Sequence, residues 1–394
     1  MLLTQSIIVY TLLLFIMYWG ANHAQTSTHP KLMRAIPIIA FTLVFGLRYG
    51  VGVDYYAYVD IYEYDFIGAN KLDIADLRYE PGFNLVAYIC AQMQFPTYIF
   101  LCCLSFSQIF IIDQTFKDED NILKYIYLTL MMSGVAIVDF TNGIRQEIAF
   151  CFFLFSLKYI VQKKWFTYLL IVLLAISFHK SAIILLPLGI IFYYKRDGLF
   201  KHPIIQCSIV LLCFISIFTS TSITQILLEK LSPFVMLLGY DKYIGTTNDM
   251  VTSRAIGASA ILGFITNIVI IVNSTKIKRY FDSPLFNVIY DLYIIGICCN
   301  YLFLGNLVFL RITQYFTTCS FICYAYALKY LIFHRKEIIV NRIYLWVIGF
   351  TLLSNYAGTL YKGVERTSSY VNVFQKDLYN LKDHERSLRE RDKQ

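Results

Sequence analysis

Long apolar stretches separated by short polar segments run along almost the whole chain. A helix needs about 20 mostly apolar residues to cross a bilayer, and fewer where it is packed inside protein. The pattern predicts twelve spans, near residues 2–20, 35–48, 96–113, 123–140, 146–162, 165–178, 180–195, 203–220, 255–274, 285–304, 309–332 and 341–359. We therefore expect an all-α, polytopic membrane protein, with one transmembrane domain over residues 1–360 and a charged tail over residues 361–394.

Two segments decide on which side of the membrane the loops lie. Residues 82–95 are short and have polar flanks, so we interpret them as an interfacial or re-entrant helix and not as a span. Residues 165–195 form one apolar stretch with basic residues at both ends, so the stretch must turn back on itself. The polar sequence from Ser177 to Ser181 provides this turn, with His179 at its tip.

Lysine and arginine then give the orientation, because they are enriched in cytoplasmic loops. One set of loops carries most of the basic residues and belongs in the cytoplasm: Lys31, Arg34, Lys117, Lys124, Lys163, Lys164, Lys195, Arg196, Lys201, Lys276, Lys278, Arg279, Arg335, Lys336 and Arg342. Both termini then lie outside, together with two large loops, 48–95 and 221–254. The second loop contains an amphipathic stretch around Ile226–Leu238. The tail is basic, yet this count places it outside.

Composition supports a membrane protein and excludes other classes. Hydrophobic residues make up 58% of the chain and charged residues 15%, whereas a soluble domain carries about 25% charge. The net charge of +8 suits anionic lipid. Nucleic-acid binding is excluded, because no loop has a dense basic cluster interleaved with aromatic residues. The ten cysteines lie in apolar segments, which is typical of small buried side chains and not of a disulfide framework.

Five arginines on the predicted outer side are not explained by the orientation rule: Arg48, Arg78, Arg145, Arg254 and Arg311. Arg48, Arg145 and Arg311 stand at the outer mouths of spans. A guanidinium group binds phosphate through two hydrogen bonds and keeps its charge, so the three could converge on one anion. Alternatively, each could reach lipid headgroups or pair with a nearby acid, as Arg145 could with Glu147 or Asp139.

Candidate bases lie on the same side. An imidazole at the His179 turn could deprotonate a hydroxyl at neutral pH, or it could simply cap a helix end. Asp54 follows Gly50 and Gly52, which indicate an unusual backbone path. It could be a base, a sugar ligand or the partner of Arg48. Asp291, inside the tenth span, is interpreted as a buried hydrogen-bonding residue.

No metal or cofactor site is predicted. The outer loops contain no HxxxH or DxD motif, and nucleotide-sugar enzymes commonly need a DxD-bound cation. This points to a lipid-linked sugar donor or to no sugar chemistry at all.

Five short motifs then occur in order over roughly residues 45–320: Arg48-x-Gly-x-Gly-x-Asp54-x-x-x-Tyr58, Tyr79-Glu80-Pro81-Gly82-Phe83, Gly143-Ile144-Arg145-Gln146-x-Ile148-Ala149, Phe178-His179-Lys180-Ser181-Ala182 and Arg311-Ile312-Thr313-Gln314-Tyr315-Phe316. Together they resemble the EpsG-like branch of the Wzy polysaccharide (O-antigen) polymerases. The tail is longer and more charged than is typical of that family.

The resemblance implies a metal-independent glycosyltransferase in a bacterial inner membrane, with its active site facing the periplasm. It implies donor and acceptor oligosaccharides linked to undecaprenyl pyrophosphate, contact with membrane lipids, and a chain-length regulator protein as a partner. With the family added, we expect Arg145, Arg311 and, third, Arg48 to bind pyrophosphate. We expect His179, or second Asp54, to be the base. Expected sugar contacts are Tyr55, Tyr58, Glu80, Gln146 and Tyr315.

The main rival function is a transporter of lipid-linked glycans, which would also need outer arginines and aromatic residues. Transporters usually place charges at the bilayer midplane and have repeated halves, which this chain lacks. Two further rivals are a membrane acyltransferase that uses His179 and a non-catalytic assembly subunit.

Overall fold

A computed structural model describes residues 2–67, 79–119, 121–195, 198–218, 230, 257–303, 307–336, 339–363 and 367–378. The first half contains α1 (Leu2–His23), α2 (Pro30–Gly46), β1 (Arg48–Tyr49), α3 (Tyr55–Asp60), a π-helix (Ile61–Ile67), α4 (Pro81–Gln92), α5 (Thr97–Phe116), α6 (Leu123–Met132), α7 (Asp139–Asn142) and α8 (Ile144–Val161). The second half contains α9 (Trp165–Phe178), a 3-10 helix (Lys180–Ile184), α10 (Leu185–Tyr194), α11 (Pro203–Ile215), a 3-10 turn (Ser216–Phe218), α12 (Ala258–Phe281), α13 (Pro284–Leu302), α14 (Leu307–Thr317), α15 (Ser320–Phe333), α16 (Ile339–Lys362), β2 (Val371–Asn372) and a last 3-10 helix (Val373–Leu378).

The described chain is almost entirely helical, which confirms the predicted all-α class. Six helical segments are long and apolar enough to cross a membrane: Leu2–His23, Thr97–Phe116, Ala258–Phe281, Pro284–Leu302, Arg311–Phe333 and Ile339–Lys362. Shorter apolar helices cover Leu123–Met132, Trp165–Phe178, Lys180–Tyr194 and Pro203–Ile215. The protein is therefore a multi-pass membrane protein, and the count of twelve spans is not confirmed.

The predicted span 123–140 is wrong as a single helix. Helix α6 ends at Met132, and the chain turns through Gly134, whose φ is +87°. The Ser133 hydroxyl donates to the Leu130 carbonyl and accepts from the Val135 amide. The Ser133 hydroxyl thus provides hydrogen bonds to backbone groups where the helix ends, and Gly134 adopts the left-handed conformation that other residues disfavour.

The predicted hairpin over residues 165–195 is confirmed. The rings of Trp165 and Tyr193, at the two ends of the stretch, are 6.0 Å apart. The Tyr168 hydroxyl donates to the Leu185 carbonyl at 2.7 Å. A Cβ atom at Gly189 would lie 2.2 Å from the Tyr168 ring, so only glycine allows the two helices to pack this closely.

Among the described residues, basic side chains that we assigned to the cytoplasm lie together at one end of the bundle, which we call the basic end. There Arg34 of α2 forms an ion pair with Asp113 of α5. Lys124 donates to Asn22 at 2.7 Å, and Lys158 pairs with the exposed Asp118 at 2.8 Å.

The opposite end, which we call the loop end, contains residues 48–54, 79–82, 141–145, 179–181 and 370–373. Here β1 pairs antiparallel with β2, with Arg48 opposite Asn372. The Tyr370 amide donates to Ser6, and the Tyr370 hydroxyl donates to the Val44 carbonyl. The chain after α16 is therefore packed against α1 and α2, with Val371 fully buried.

The expectation for Asp291 agrees with the structure. Its carboxylate is fully buried in α13 and accepts from the amides of Leu199 and Phe200. Lys278 of α12 lies 3.8 Å away. Asp291 thus holds the segment before α11 against two long helices. Several other predicted features lie outside the described residues: Arg78, Arg254, the stretch 226–238 apart from residue 230, and the end of the tail, 379–394.

Candidate functional site

Arg145 and Glu80 form an ion pair at the loop end. Gly143 ends α7, and Arg145 lies in the first turn of α8. Helix α4 begins at Pro81, because proline favours the first turn of a helix. Glu80 is the residue immediately before it. The Arg145 guanidinium carbon lies 3.6 Å from the centre of the Tyr79 ring. The pair is largely shielded from solvent, with side-chain exposures of 18% and 10%.

The second carboxylate oxygen of Glu80 accepts a hydrogen bond from the backbone amide of Lys180 at 3.2 Å. Glu80 therefore joins the starts of α4 and α8 to the turn between α9 and α10. Close packing of α4 on α9 makes this possible, because a Cβ atom at Gly82 would lie 2.4 Å from the Ser177 hydroxyl oxygen.

His179 interrupts the helical hairpin, with extended backbone angles of φ −156° and ψ 118°. Its Nδ1 atom lies 2.6 Å from the Ser181 hydroxyl, which lies 3.0 Å from the hydroxyl of Tyr315 on α14. This three-residue chain fixes the imidazole orientation.

The electrostatic surroundings keep this histidine neutral. Burial lowers the pKa of the His179 imidazole to about 4. The Glu80 carboxylate opposes this decrease in pKa, and the cationic side chains of Arg145, Arg311 and Lys180 contribute to it. At neutral pH the imidazole can therefore accept a proton.

Two side-chain amides connect α8 to α14. Gln146 donates to the Arg311 carbonyl at 2.5 Å, and Gln314 donates to the buried carboxylate of Glu147 at 2.6 Å. The Arg311 side chain is exposed and acts electrostatically on His179. Gln146 thus ties α8 to the α14 backbone at Arg311, and its predicted contact with sugar stays a prediction.

The structure brings Arg145, Arg311, His179 and Glu80 into one cluster, which we call the Arg145 cluster. It does not bring Arg48 there. The Arg48 side chain is 1% exposed and donates to the backbone carbonyls of Phe45, Val51 and Thr141. This argues against the expected pyrophosphate role, because a guanidinium buried among carbonyls holds the loop after β1 in place.

Asp54 is exposed at the start of α3, and its amide donates to the Asn142 side chain at 3.3 Å. The Tyr58 hydroxyl donates to the Asn142 carbonyl at 3.1 Å. Asn142 therefore ties the 50–58 segment to the start of α8. Gly52 is required in this approach, since its φ is +96° and an added Cβ atom would lie 3.0 Å from Asn142.

The expected sugar contacts through aromatic rings do not fit the structure. Tyr55 and Tyr58 are each 3% exposed, and Tyr315 is fully buried. Tyr55 packs against Tyr49, and Tyr58 packs against Tyr79. Tyrosines covered by protein cannot stack on a substrate ring, so these three form the walls of the site.

The sequence alone did not indicate several residues that contact the Arg145 cluster, nor the acidic partner of Arg145. Pairing of Arg145 with Glu147 or Asp139 was one alternative from the sequence, but its acidic partner in the structure is Glu80. Tyr79, Ser181 and Gln314 were not singled out. All three lie inside the five motifs that occur in order along the chain, so membership of a motif was the signal that could have identified them. Among the residues the structure describes, no three His, Cys, Asp or Glu side chains are grouped to hold a metal ion.

A family model described as the EpsG family matches residues 31–371. The match spans most of the chain and includes the whole Arg145 cluster. No curated protein and no solved structure gives a significant match.

Proposed function

This chain belongs to the EpsG family of Wzy-like polysaccharide polymerases, and from that premise we propose that it joins undecaprenyl-pyrophosphate-linked oligosaccharide repeats into O-antigen or a related surface polysaccharide. Family membership supports a polymerase-like role in surface polysaccharide synthesis. The lipid carrier, the residues and the periplasmic side are our proposal. The single observation that carries it is the Arg145 cluster, in which two arginines lie beside a neutral histidine.

Arg145 and Arg311 bind the diphosphate of the donor. The Nε atom of Arg145 is buried and has no hydrogen-bond partner in the described part of the chain. A buried donor left unpaired costs about 1–3 kcal/mol, and more when it is charged. A phosphate oxygen that displaced the side chains covering this atom would satisfy the donor, which is a physical reason for an anion to bind here.

His179 takes the proton. In the tautomer with Nδ1–H donating to Ser181, and with Ser181 donating to Tyr315, the basic lone pair of the imidazole is on Nε2. The acceptor hydroxyl oxygen bonds to the anomeric carbon as its proton moves to Nε2. The bond from that carbon to the diphosphate oxygen breaks, and the electron pair leaves with the diphosphate.

The arginines accelerate this step because negative charge grows on the departing diphosphate. Fixed cations that interact more strongly with the transition state than with the ground state lower the barrier. A single displacement of this kind inverts the anomeric configuration. Asp54 remains the second candidate base, because it lies exposed at the same end of the bundle.

The rival transporter function predicts charges near the bilayer midplane. In the described structure, the Arg145 cluster instead lies at helix ends. Reconstitution in liposomes with purified lipid-linked repeat units, with and without a chelator, separates the two functions. We expect polymer in both conditions, and its loss in His179→Ala and Arg145→Ala with expression intact. Translocation of repeats without new glycosidic bonds would overturn the polymerase.

A further inference from the structure

A cavity of about 540 Å³ lies outside the Arg145 cluster. Its walls come from the first half of α12, the second half of α13, the junction of α14 with α15, and the second half of α16. Ligand-binding pockets typically measure about 300–1,000 Å³, so this cavity has room for a small-molecule ligand.

The lining mixes polar and apolar surface in about equal parts, and its described residues are almost uncharged. Side-chain amides come from Asn267, Asn300 and Asn355, and hydroxyl groups come from serine, threonine and tyrosine residues of all the walls. Among the described lining residues, Lys362 alone carries a charge. Such a lining would leave many polar groups unpaired against a lipid tail, which is costly. It also offers a diphosphate little positive charge.

Several of these polar groups are held in place before any ligand arrives. The Tyr293 hydroxyl donates to the Asn267 carbonyl oxygen at 2.8 Å, and the Asn267 amide donates to the Tyr301 hydroxyl at 3.1 Å. The Thr351 hydroxyl lies 2.6 Å from that of Thr266. This network links α12 to α13 and α16. A lining with donors and acceptors in fixed positions matches sugar rings, whose hydroxyl groups both donate and accept.

Helix α14 separates this cavity from the Arg145 cluster. Tyr315 belongs to the cluster and Thr317 lines the cavity. Residues two positions apart on a helix point about 200° apart, so these two lie on nearly opposite faces. On the cavity side α13 packs tightly on α14, since a Cβ atom at Gly296 would lie 2.5 Å from the Phe316 backbone.

We propose that this cavity is a binding site for neutral sugar rings of the glycan, separate from the site that holds the diphosphate. The proposal rests on the proposed function for the identity of the glycan. One repeat unit and the longer growing chain share the same sugar chemistry, and both could be bound through it. The two are distinguished by experiment.

Gly263 provides a direct test, because it lines the cavity and an added Cβ atom there would meet nothing within 4 Å. The substitution Gly263→Leu fills the cavity. Gly349 of α16 is equally open but does not line the cavity, so Gly349→Leu is the matched control. Both substitutions replace a helical glycine by a better helix former, so neither is expected to weaken the fold.

The probes are radiolabelled oligosaccharides of one and of several repeats, released from their lipid by mild acid. Equilibrium dialysis against the purified full chain should show saturable binding that weakens at least about tenfold in Gly263→Leu and is unchanged in Gly349→Leu. Tighter binding of the longer probe would identify the growing chain, and equal binding would identify a single repeat. Asn300→Ala, at an exposed lining position, should weaken binding severalfold. It replaces Gly263→Leu as the test variant if Gly263→Leu fails to fold.

Absence of binding to the wild type, or equal binding to Gly263→Leu, would overturn the glycan site. So would competition by farnesyl diphosphate for the same cavity. His179→Ala should retain oligosaccharide binding while losing polymer formation. If the wild type binds oligosaccharide but makes no polymer, the proposed polymerase function is wrong and the proposed glycan site is supported. If polymer forms while the cavity variants bind and polymerise normally, the glycan site fails and the polymerase stands.

Discussion

Glu80 neutralises Arg145 through an ion pair between residues 65 positions apart in the chain. The same carboxylate accepts the Lys180 amide, next to the proposed base. The site is thus less cationic than its arginines alone suggest. A bound diphosphate would share Arg145 with Glu80, and its added negative charge would raise the pKa of His179.

The first prediction concerns this carboxylate. Glu80→Gln keeps a group that can accept from Lys180 but removes the charge that orients Arg145. Hydrogen bonds to charged groups contribute about 1.5–3 kcal/mol, so we expect polymer formation to slow by about 10–100-fold. Rates from reconstituted protein test this. Glu63→Gln is the control, because Glu63 is exposed and accepts from Thr97. An unchanged rate in Glu80→Gln would remove Glu80 from the site.

The second prediction concerns the shape of the cation. Arg145→Lys keeps the positive charge but loses the planar fork that grips two phosphate oxygens. Loss of one preorganised donor typically costs about 10²–10³ in rate, and we expect a decrease in this range. Arg342→Lys, at the basic end, should retain wild-type activity. A fully active Arg145→Lys would show that charge alone suffices.

The third prediction is a pH dependence. A free histidine has a pKa of about 6.5, whereas burial lowers the pKa of His179 to about 4. The imidazole is therefore neutral above about pH 5, and kcat/KM should fall only as the pH drops through about 4. In the unfolded chain His179 binds a proton at a higher pH than in the folded protein. His179 therefore makes the folded state less stable as the pH falls from about 6.5 to 4.

A pH–rate profile of the reconstituted protein tests the titration, and Ser181→Ala is the companion variant. Removing the hydroxyl that contacts Nδ1 frees the ring to adopt the other tautomer, so the rate should fall while the protein remains folded. An inflection near pH 6.5 in the wild type would mean that His179 is solvated. No inflection at all in His179→Ala, with full activity, would transfer the base role to Asp54.

The fourth prediction separates stability from catalysis at Arg48. Arg48→Met removes the donors from three buried carbonyls, each worth about 1–3 kcal/mol when left unpaired. We expect a lower unfolding temperature and a lower expressed amount, with near-normal activity per folded molecule. Thermal unfolding in detergent and activity normalised to folded protein measure these. A stable but inactive Arg48→Met would restore Arg48 to the diphosphate site.

The fifth prediction concerns the side of the tail. Pairing of Arg48 with Asn372 places both at the same end of the bundle. We expect that end to face the periplasm. Alkaline phosphatase fused after the last residue should be active, and the same enzyme inserted after Lys201 should be inactive. The reverse result would place the Arg145 cluster in the cytoplasm and overturn the proposed orientation.

Much of the architecture was predictable from local pattern. The boundaries of α9 and the turn at His179 follow from an apolar stretch with basic flanks, because burying either flank in lipid is costly. The break after Met132 was harder to predict, since Ser133 and Gly134 sit inside an otherwise apolar stretch and a single glycine does not by itself end a helix.

The partners within the site could not be predicted, for a different reason. Glu147 is two residues from Arg145 on the same helix, but side chains at that spacing point apart. Glu80 reaches Arg145 only because Gly82 lets α4 pack closely on α9. The burial of Arg48 likewise depends on a distant partner, because its guanidinium reaches the Thr141 carbonyl in addition to the nearby carbonyls of Phe45 and Val51. Such contacts are set by tertiary packing and leave no periodic pattern in the sequence.

The β1–β2 pairing also sets an order in time for the assembly of this protein. Membrane proteins enter the bilayer while they are being synthesised, so α1 and α2 are in place long before Val371 leaves the ribosome. The loop after β1, which Arg48 anchors to Thr141 beside the start of α8, must wait for that last segment to pair with it. A chain truncated before Tyr370 would insert into the membrane normally, but the loop after β1, next to the Arg145 cluster, would lack the strand that pairs with it.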